Sequence, residues 1–171
     1  MENAGNKFIL RRVTNRLFHV LARTCPGATT LRPALHRLRG MKVGRQVFIG
    51  DGVYLDNEYP ECIEIHDNVQ ISIQAILIAH TRGPGRLIIE RAAFIGPSCV
   101  IVCGAERILK IGEGAVIGAG AVVTKSVPPG LFISPPSSEP RSRVGVPLPL
   151  AKTMDEFLAG LEPLDHRDHG S

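Results

Sequence analysis

The stretch "IGEGAVIGAGAVVTKSVPPG", residues 111–130, decides how this chain folds. Stepping by six from Ile111 reaches Ile117 and Val123, and four residues after each lie Ala115, Ala121 and Val127. A helix repeats apolar positions about every 3.6 residues and a half-buried strand about every 2, so neither sustains a period of six. A chain that turns a corner every six residues does, and a short fixed period marks a solenoid. The aliphatic residue then points into a prism, the small one fits its corner, and glycines such as Gly112 and Gly118 ease the turn.

The same frame runs upstream. Val43, Ile49 and Leu55 form one block, Ile65, Ile71 and Leu77 a second, and Ile89, Ile95 and Ile101 a third. Their corner partners are Val47, Val53 and Tyr59, then Val69, Ala75 and Thr81, then Ala93, Cys99 and Ala105. All but Tyr59 are small or β-branched. Three hexapeptides per block imply one coil of three sides. Between blocks lie "ECIE" (61–64), "GPGRLI" (83–88) and "RILK" (107–110), which the frame expects to emerge near one edge of the prism. Residues 83–88 could instead be a degenerate hexapeptide, which would rotate every later coil by one side.

A single coil cannot bury its apolar face alone, so the ends of a solenoid need caps. The segment "KFILRRVTNRLFHVLART", residues 7–24, places Ile9, Leu10, Val13, Leu17, Val20 and Leu21 on one helical face. "LRPALHRLRG" reads as a second short helix stopped by Gly40, and the pair as a cap over the first coil. Lys7, Arg11, Arg12, Arg16 and Arg23 also allow a weak peripheral contact with an anionic membrane. Near the other end, Thr153 and Glu156 have capping-box spacing, so "TMDEFLAGL" reads as a short helix before a frayed tail, "DHRDHGS". The expected organisation is a helical cap over residues 1–42, a solenoid over 43–130, and a loop, short helix and tail over 131–171.

Bulk properties narrow the function. The 171 residues carry a net charge of +4, compatible with an anionic ligand. The basic residues are not interleaved with aromatics, so no nucleic-acid surface is expected. No apolar run approaches the about 20 residues that span a bilayer, and the N-terminus lacks the pattern of a signal peptide. Cys25, Cys62, Cys99 and Cys103 match no zinc or disulfide spacing, which fits reduced thiols in the cytoplasm. Only His66 and His80 lie inside the repeats, so no metal site is expected.

These residues carry a resemblance. The run 111–130 resembles the closing coils of the hexapeptide-repeat acyltransferases, which are left-handed parallel β-helices. "VFIGDGVYLDNEYPECIEIHDNVQISIQAILIAHTRGPG", residues 47–85, is similar to the branch that contains the colanic-acid-type and maltose/galactoside acetyltransferases. The likeness covers roughly residues 13–145. It implies the fold (mainly β, left-handed) and a homotrimer with sites between subunits. It also implies an acetyl-CoA-dependent O-acetyltransferase acting on a sugar or polysaccharide intermediate.

His80 is the fourth residue of the hexapeptide that begins at Leu77, so its side chain is expected to face outward at a corner. On spacing alone that position also suits an idle surface histidine. The segment resembles "ILAHTH", whose first histidine is the general base of the family, and a neutral imidazole suits that role. By the same resemblance Gln74 takes an acceptor-site position. Asp56 or Glu58 is placed at the acceptor site too, and either could orient His80. Ala119, Thr124 and Lys125 would lie beside the pantetheine arm, with Arg141 and Arg143 near the nucleotide phosphates.

Four departures from the family bear on the acetyl-CoA side. Arg82 replaces the second histidine, Pro97 removes a backbone donor at a turn, "RILK" inserts four residues, and "SPPSSEPRSRVG" replaces a shorter closing turn. Two other readings therefore stand beside the first. One is acyl transfer to a secondary metabolite or amine, and the other is a silent β-helical trimeric scaffold.

Overall fold

A computed structural model describes residues 2–135, 142–150 and 152–163 of the chain. It divides after Pro135 into two units. The first holds helices α1 (Glu2–Thr24) and α2 (Leu31–Leu38), followed by stacked coils of short strands. Coil one contains β1 (Lys42–Val43), β2 (Phe48–Ile49) and β3 (Tyr54–Leu55). Coil two contains β4 (Ile63–Ile65), β5 (Gln70–Ile71) and β6 (Ile76–Ile78), and coil three β7 (Arg86–Ile89), β8 (Phe94–Ile95) and β9 (Val100–Val102). Coil four contains β10 (Ile108–Ile111), β11 (Val116–Ile117) and β12 (Val122–Val123), with β13 (Phe132–Ile133) beginning a further turn.

Corresponding strands stack in parallel. The first sheet runs β1-β4-β7-β10, the second β2-β5-β8-β11-β13 and the third β3-β6-β9-β12. Each step of six in the sequence therefore becomes a step around the prism, and each block a step along it. Ile49, Ile71, Ile95 and Ile117 pair in register down the second sheet. Leu55, Leu77, Ile101 and Val123 do the same down the third. All eight lie in one buried core. Close approach of the coils explains Gly96, where an added Cβ would sit 2.6 Å from the Ile117 carbonyl oxygen.

The three interruptions all lie between the third sheet and the first, on one edge of the prism. They are more than loops. Ile63 pairs with Leu87, and Leu87 with Leu109, which gives the first sheet a second buried column. "RILK" thus extends a strand instead of protruding, and residues 83–88 do not rotate the later coils.

In coil four the corner after the third sheet follows the hexapeptide frame, with Val127 buried, but in coils one to three it departs from it. That frame assigns it to Tyr59, Thr81 and Ala105, none of which is buried. Ala79 and Cys103 are buried in their place, two residues after the inward Leu77 and Ile101. The chain stays extended one step longer there, so strand alternation decides which side chain faces in.

The helices cap coil one by satisfying its open edge. The Ile49 amide donates to the Ala28 carbonyl at 2.9 Å, and the Gly52 amide to the Arg23 carbonyl at 2.9 Å. The packed side of α1 is not its apolar face. His19 and Ala22 are buried against the coil, with the His19 ring edge-on to Tyr54 at 4.7 Å. Val13, Leu17 and Val20 point away, each more than half exposed. No described helix is long and apolar enough to cross a membrane.

The second unit pairs β14 (Ser142–Val144) antiparallel with β15 (Leu161–Pro163) beside α3 (Met154–Ala159). Thr153 caps α3 as its spacing predicts, its hydroxyl accepting from the Glu156 amide at 3.2 Å. The Glu156 carboxylate reaches back to the Lys152 amide at 2.7 Å. The tail "DHRDHGS" lies outside the described residues.

Candidate active site

The site begins at Asp56, which directly follows β3. Its side chain is fully buried, an expensive place for a carboxylate unless donors surround it. Four do. Oδ1 accepts from the backbone amides of Glu58 at 2.9 Å and Tyr59 at 3.1 Å, closing a tight turn. Oδ2 accepts from the Ala79 amide at 2.8 Å and from His80 Nδ1 at 2.5 Å.

His80 follows β6 one coil further on. Its side chain is 31% exposed, so it is neither a core residue nor fully turned to solvent. The Tyr59 ring stands 5.4 Å away, tilted by 55°. An ionised carboxylate only accepts hydrogen bonds, so opposite it Nδ1 carries a ring hydrogen, and in the neutral ring Nε2 then has the lone pair. The arrangement is a buried acid hydrogen-bonded to a partly exposed imidazole.

Of the two carboxylates named for this corner, the structure brings Asp56 to His80. Glu58 is exposed and contributes its backbone amide to the Asp56 turn. Both Asp56 oxygens are occupied by donors and its side chain is buried, and the side chain that it meets is His80.

The remaining residues fall on two edges of the third sheet. Gln74 precedes β6 and lines an open cleft with Arg23, Gly52, Tyr54, Ile76, Ile78 and Ser98. Ala119 precedes β12 on that same edge, two coils on. Thr124 and Lys125 follow β12 and so share the edge of His80, two strand spacings away, or about 10 Å. All three are exposed. The structure thus separates Gln74 and Ala119 from His80, Thr124 and Lys125. Arg143 belongs to the second unit, opposite Glu162 in the β14–β15 pair. Arg141 lies outside the described residues.

Pro97 fits its turn without loss. The amides that donate there belong to Gln74, Ser98 and Gly120, which bond to the carbonyls of Asp51, Ile73 and Pro97. The missing donor of Pro97 is one residue away from that ladder.

Three polar residues near Asp56 escaped sequence reasoning: His19, His36 and Arg39. All are buried, and no motif marks them. Burial holds His19 down to about 4, with Arg39, Arg23 and Arg16 adding to it. Burial likewise holds His36 down to about 3, with help from Arg39 and His19. Both are neutral at neutral pH. Among the described residues no cluster of three or more histidine, cysteine or acidic side chains could hold a metal.

No protein-family model matches the chain. A Bacillus subtilis (strain 168) protein named "Putative acetyltransferase YvoF" is 35% identical over 98 residues, which cover 54% of this chain and 55% of that protein. Among solved structures, soybean serine acetyltransferase without ligand overlays with a TM-score of 0.47 and 27% identity, covering 76% of this chain and 56% of that one. The same enzyme complexed with serine gives the same values. The chain spans about half the length of these relatives.

Proposed function

We propose that this chain is an acyltransferase that moves an acetyl group from acetyl-CoA to a hydroxyl of a sugar or polysaccharide intermediate. The observation that carries the reading is the Asp56–His80 pair, joined through Nδ1 at 2.5 Å on a His80 side chain that is 31% exposed. The likeness to a protein named as an acetyltransferase supports acyl transfer. The hydroxyl acceptor rests on the resemblance of residues 47–85.

The chemistry follows from the pair. His80 Nε2 takes the proton from the acceptor hydroxyl as its oxygen attacks the thioester carbonyl. The carbonyl electrons move onto oxygen, where turn amides can stabilise the charge. The C–S bond then breaks, and the CoA sulfur leaves with the proton held by His80. Asp56 keeps the ring oriented and stabilises the imidazolium. Lys125 and Thr124, on the His80 edge, are proposed to meet the pantetheine arm, with Ala119 across the sheet and Arg141 and Arg143 near the phosphates. Gln74 is proposed to meet the acceptor, and so is Glu58 beside the Asp56 turn.

The same reading takes the working form as a homotrimer with sites between subunits. It places the protein in the cytoplasm, in keeping with four cysteines that are all free thiols. The test is thiol release from acetyl-CoA with a panel of hydroxyl and amine acceptors, using wild type and His80→Ala. Release that requires His80 supports the proposal, and the acceptor that drives it identifies the substrate class. Equal release from both proteins removes His80 from the mechanism. No release with any acceptor returns the chain to the scaffold reading.

A further inference from the structure

We infer that Arg39, at the end of α2, is a positioning residue for the Asp56–His80 pair, so the N-terminal helices are part of the active site as well as a cap. The inference rests on the reading of His80 as the base.

Arg39 is 1% exposed, an unusual place for a guanidinium. Its Nη2 donates to the Asp56 carbonyl at 2.7 Å and the Leu55 carbonyl at 3.3 Å. Its Nη1 lies 2.9 Å from His36 Nδ1, which accepts from it. One planar group thus ties the end of α2 to the main chain that carries the Asp56 carboxylate. A planar fork fixes direction as well as distance, which a flexible ammonium does not.

Charge gives the second half of the argument. Asp56 is a fully buried carboxylate, and its histidine partner must be neutral to act as a base. A buried anion without a cation is costly. His19 and His36 are neutral at neutral pH, as burial dictates. Arg39 stays ionised: burial lowers it to about 10, while Asp56 and then Tyr54 act in the opposite direction. The surrounding groups are His19, Arg16 and Arg23 on α1, His36 on α2, Tyr54 on β3, Glu58, Tyr59, Glu61 and Cys62 in the loop that follows, and the exposed Arg82 and Lys125 on the His80 edge. Among these, Arg39 is the buried cation fixed to the Asp56 main chain.

Removing that cation favours proton uptake by both members of the pair, so the pH needed for a free base should rise. Arg39→Gln keeps donors for the carbonyls but loses the charge, and Arg39→Lys keeps the charge but loses the fork. The measurements are the pH profile of thiol release and the NMR titration of the His80 ring, each on the full chain. For Arg39→Gln both midpoints should move up from their wild-type positions. Its kcat should fall about tenfold, with KM for acetyl-CoA held within about twofold. For Arg39→Lys the midpoints should stay at the wild-type value while kcat falls several-fold.

A folded Arg39→Gln protein with an unmoved ring midpoint overturns the inference, even if its activity drops, because a purely structural role would act that way. Should the Gln variant not fold, Arg39→Lys decides: wild-type kcat there overturns the role of the fork. If wild type releases no thiol, the acyl-transfer reading fails, and the ring titration still reports whether Arg39 governs His80.

Discussion

At the residue scale, the proposal divides the work of a base between His80, which would meet the acceptor, and Asp56, which would orient it. His80→Ala removes the proton acceptor, and kcat for thiol release should fall by about 10²–10⁴-fold. Asp56→Asn preserves shape and part of the turn. However, an amide cannot match a carboxylate in accepting from two backbone amides, a third amide and a ring at once. Rate should therefore fall with little change in KM, in the same assay. Loss of acetyl-CoA binding in Asp56→Asn would contradict its placement as an orienting group.

At the element scale, the cap and the first sheet set the response to acid. His19 and His36 are held neutral when folded, well below their ordinary value near 6.5. Between pH 6.5 and about 4 the unfolded chain therefore binds more protons than the folded one, and stability falls with falling pH. Glu64 extends the loss. Its hydrogen bond from Arg86, together with His66 and Lys42, holds it down to about 2. Its contribution is present above its ordinary value near 4.5 and fades as pH drops toward 2. The urea midpoint should fall on acidification from pH 7 to 4.5, and His19→Phe, which cannot take up a proton, should flatten that slope. An identical slope in both proteins would contradict the assignment.

At the scale of the whole molecule, α1 carries Val13, Leu17 and Val20 on its outward side, beside Arg16 and Arg23. Sedimentation equilibrium should give three times the mass of the 18.5 kDa chain if the working form is the proposed trimer. A monomer at micromolar concentration would remove the shared-site part of the proposal. Vesicles of anionic lipid at low salt test the separate expectation of a peripheral membrane contact. Retention that disappears in Leu17→Asp supports it, and free passage of wild type ends it.

The coils were legible because each six-residue side must place one aliphatic residue inward, and that rule is written in the chain from Val43 to Val123. The sequence also singled out His80, whose neighbours resemble a known motif. It could not choose between Asp56 and Glu58, two residues apart, because the choice depends on which one the turn after β3 folds under His80. Nor could it foresee that the interruptions would become strand, that α1 would bury His19 instead of Leu17 and Leu21, or that Arg39 would end beneath Asp56. Local period is a property of neighbours in the chain and survives in the sequence. Contacts such as those of Arg39 with Leu55 and Asp56 join residues 16 and 17 positions apart, and only the packing of helix on coil decides them.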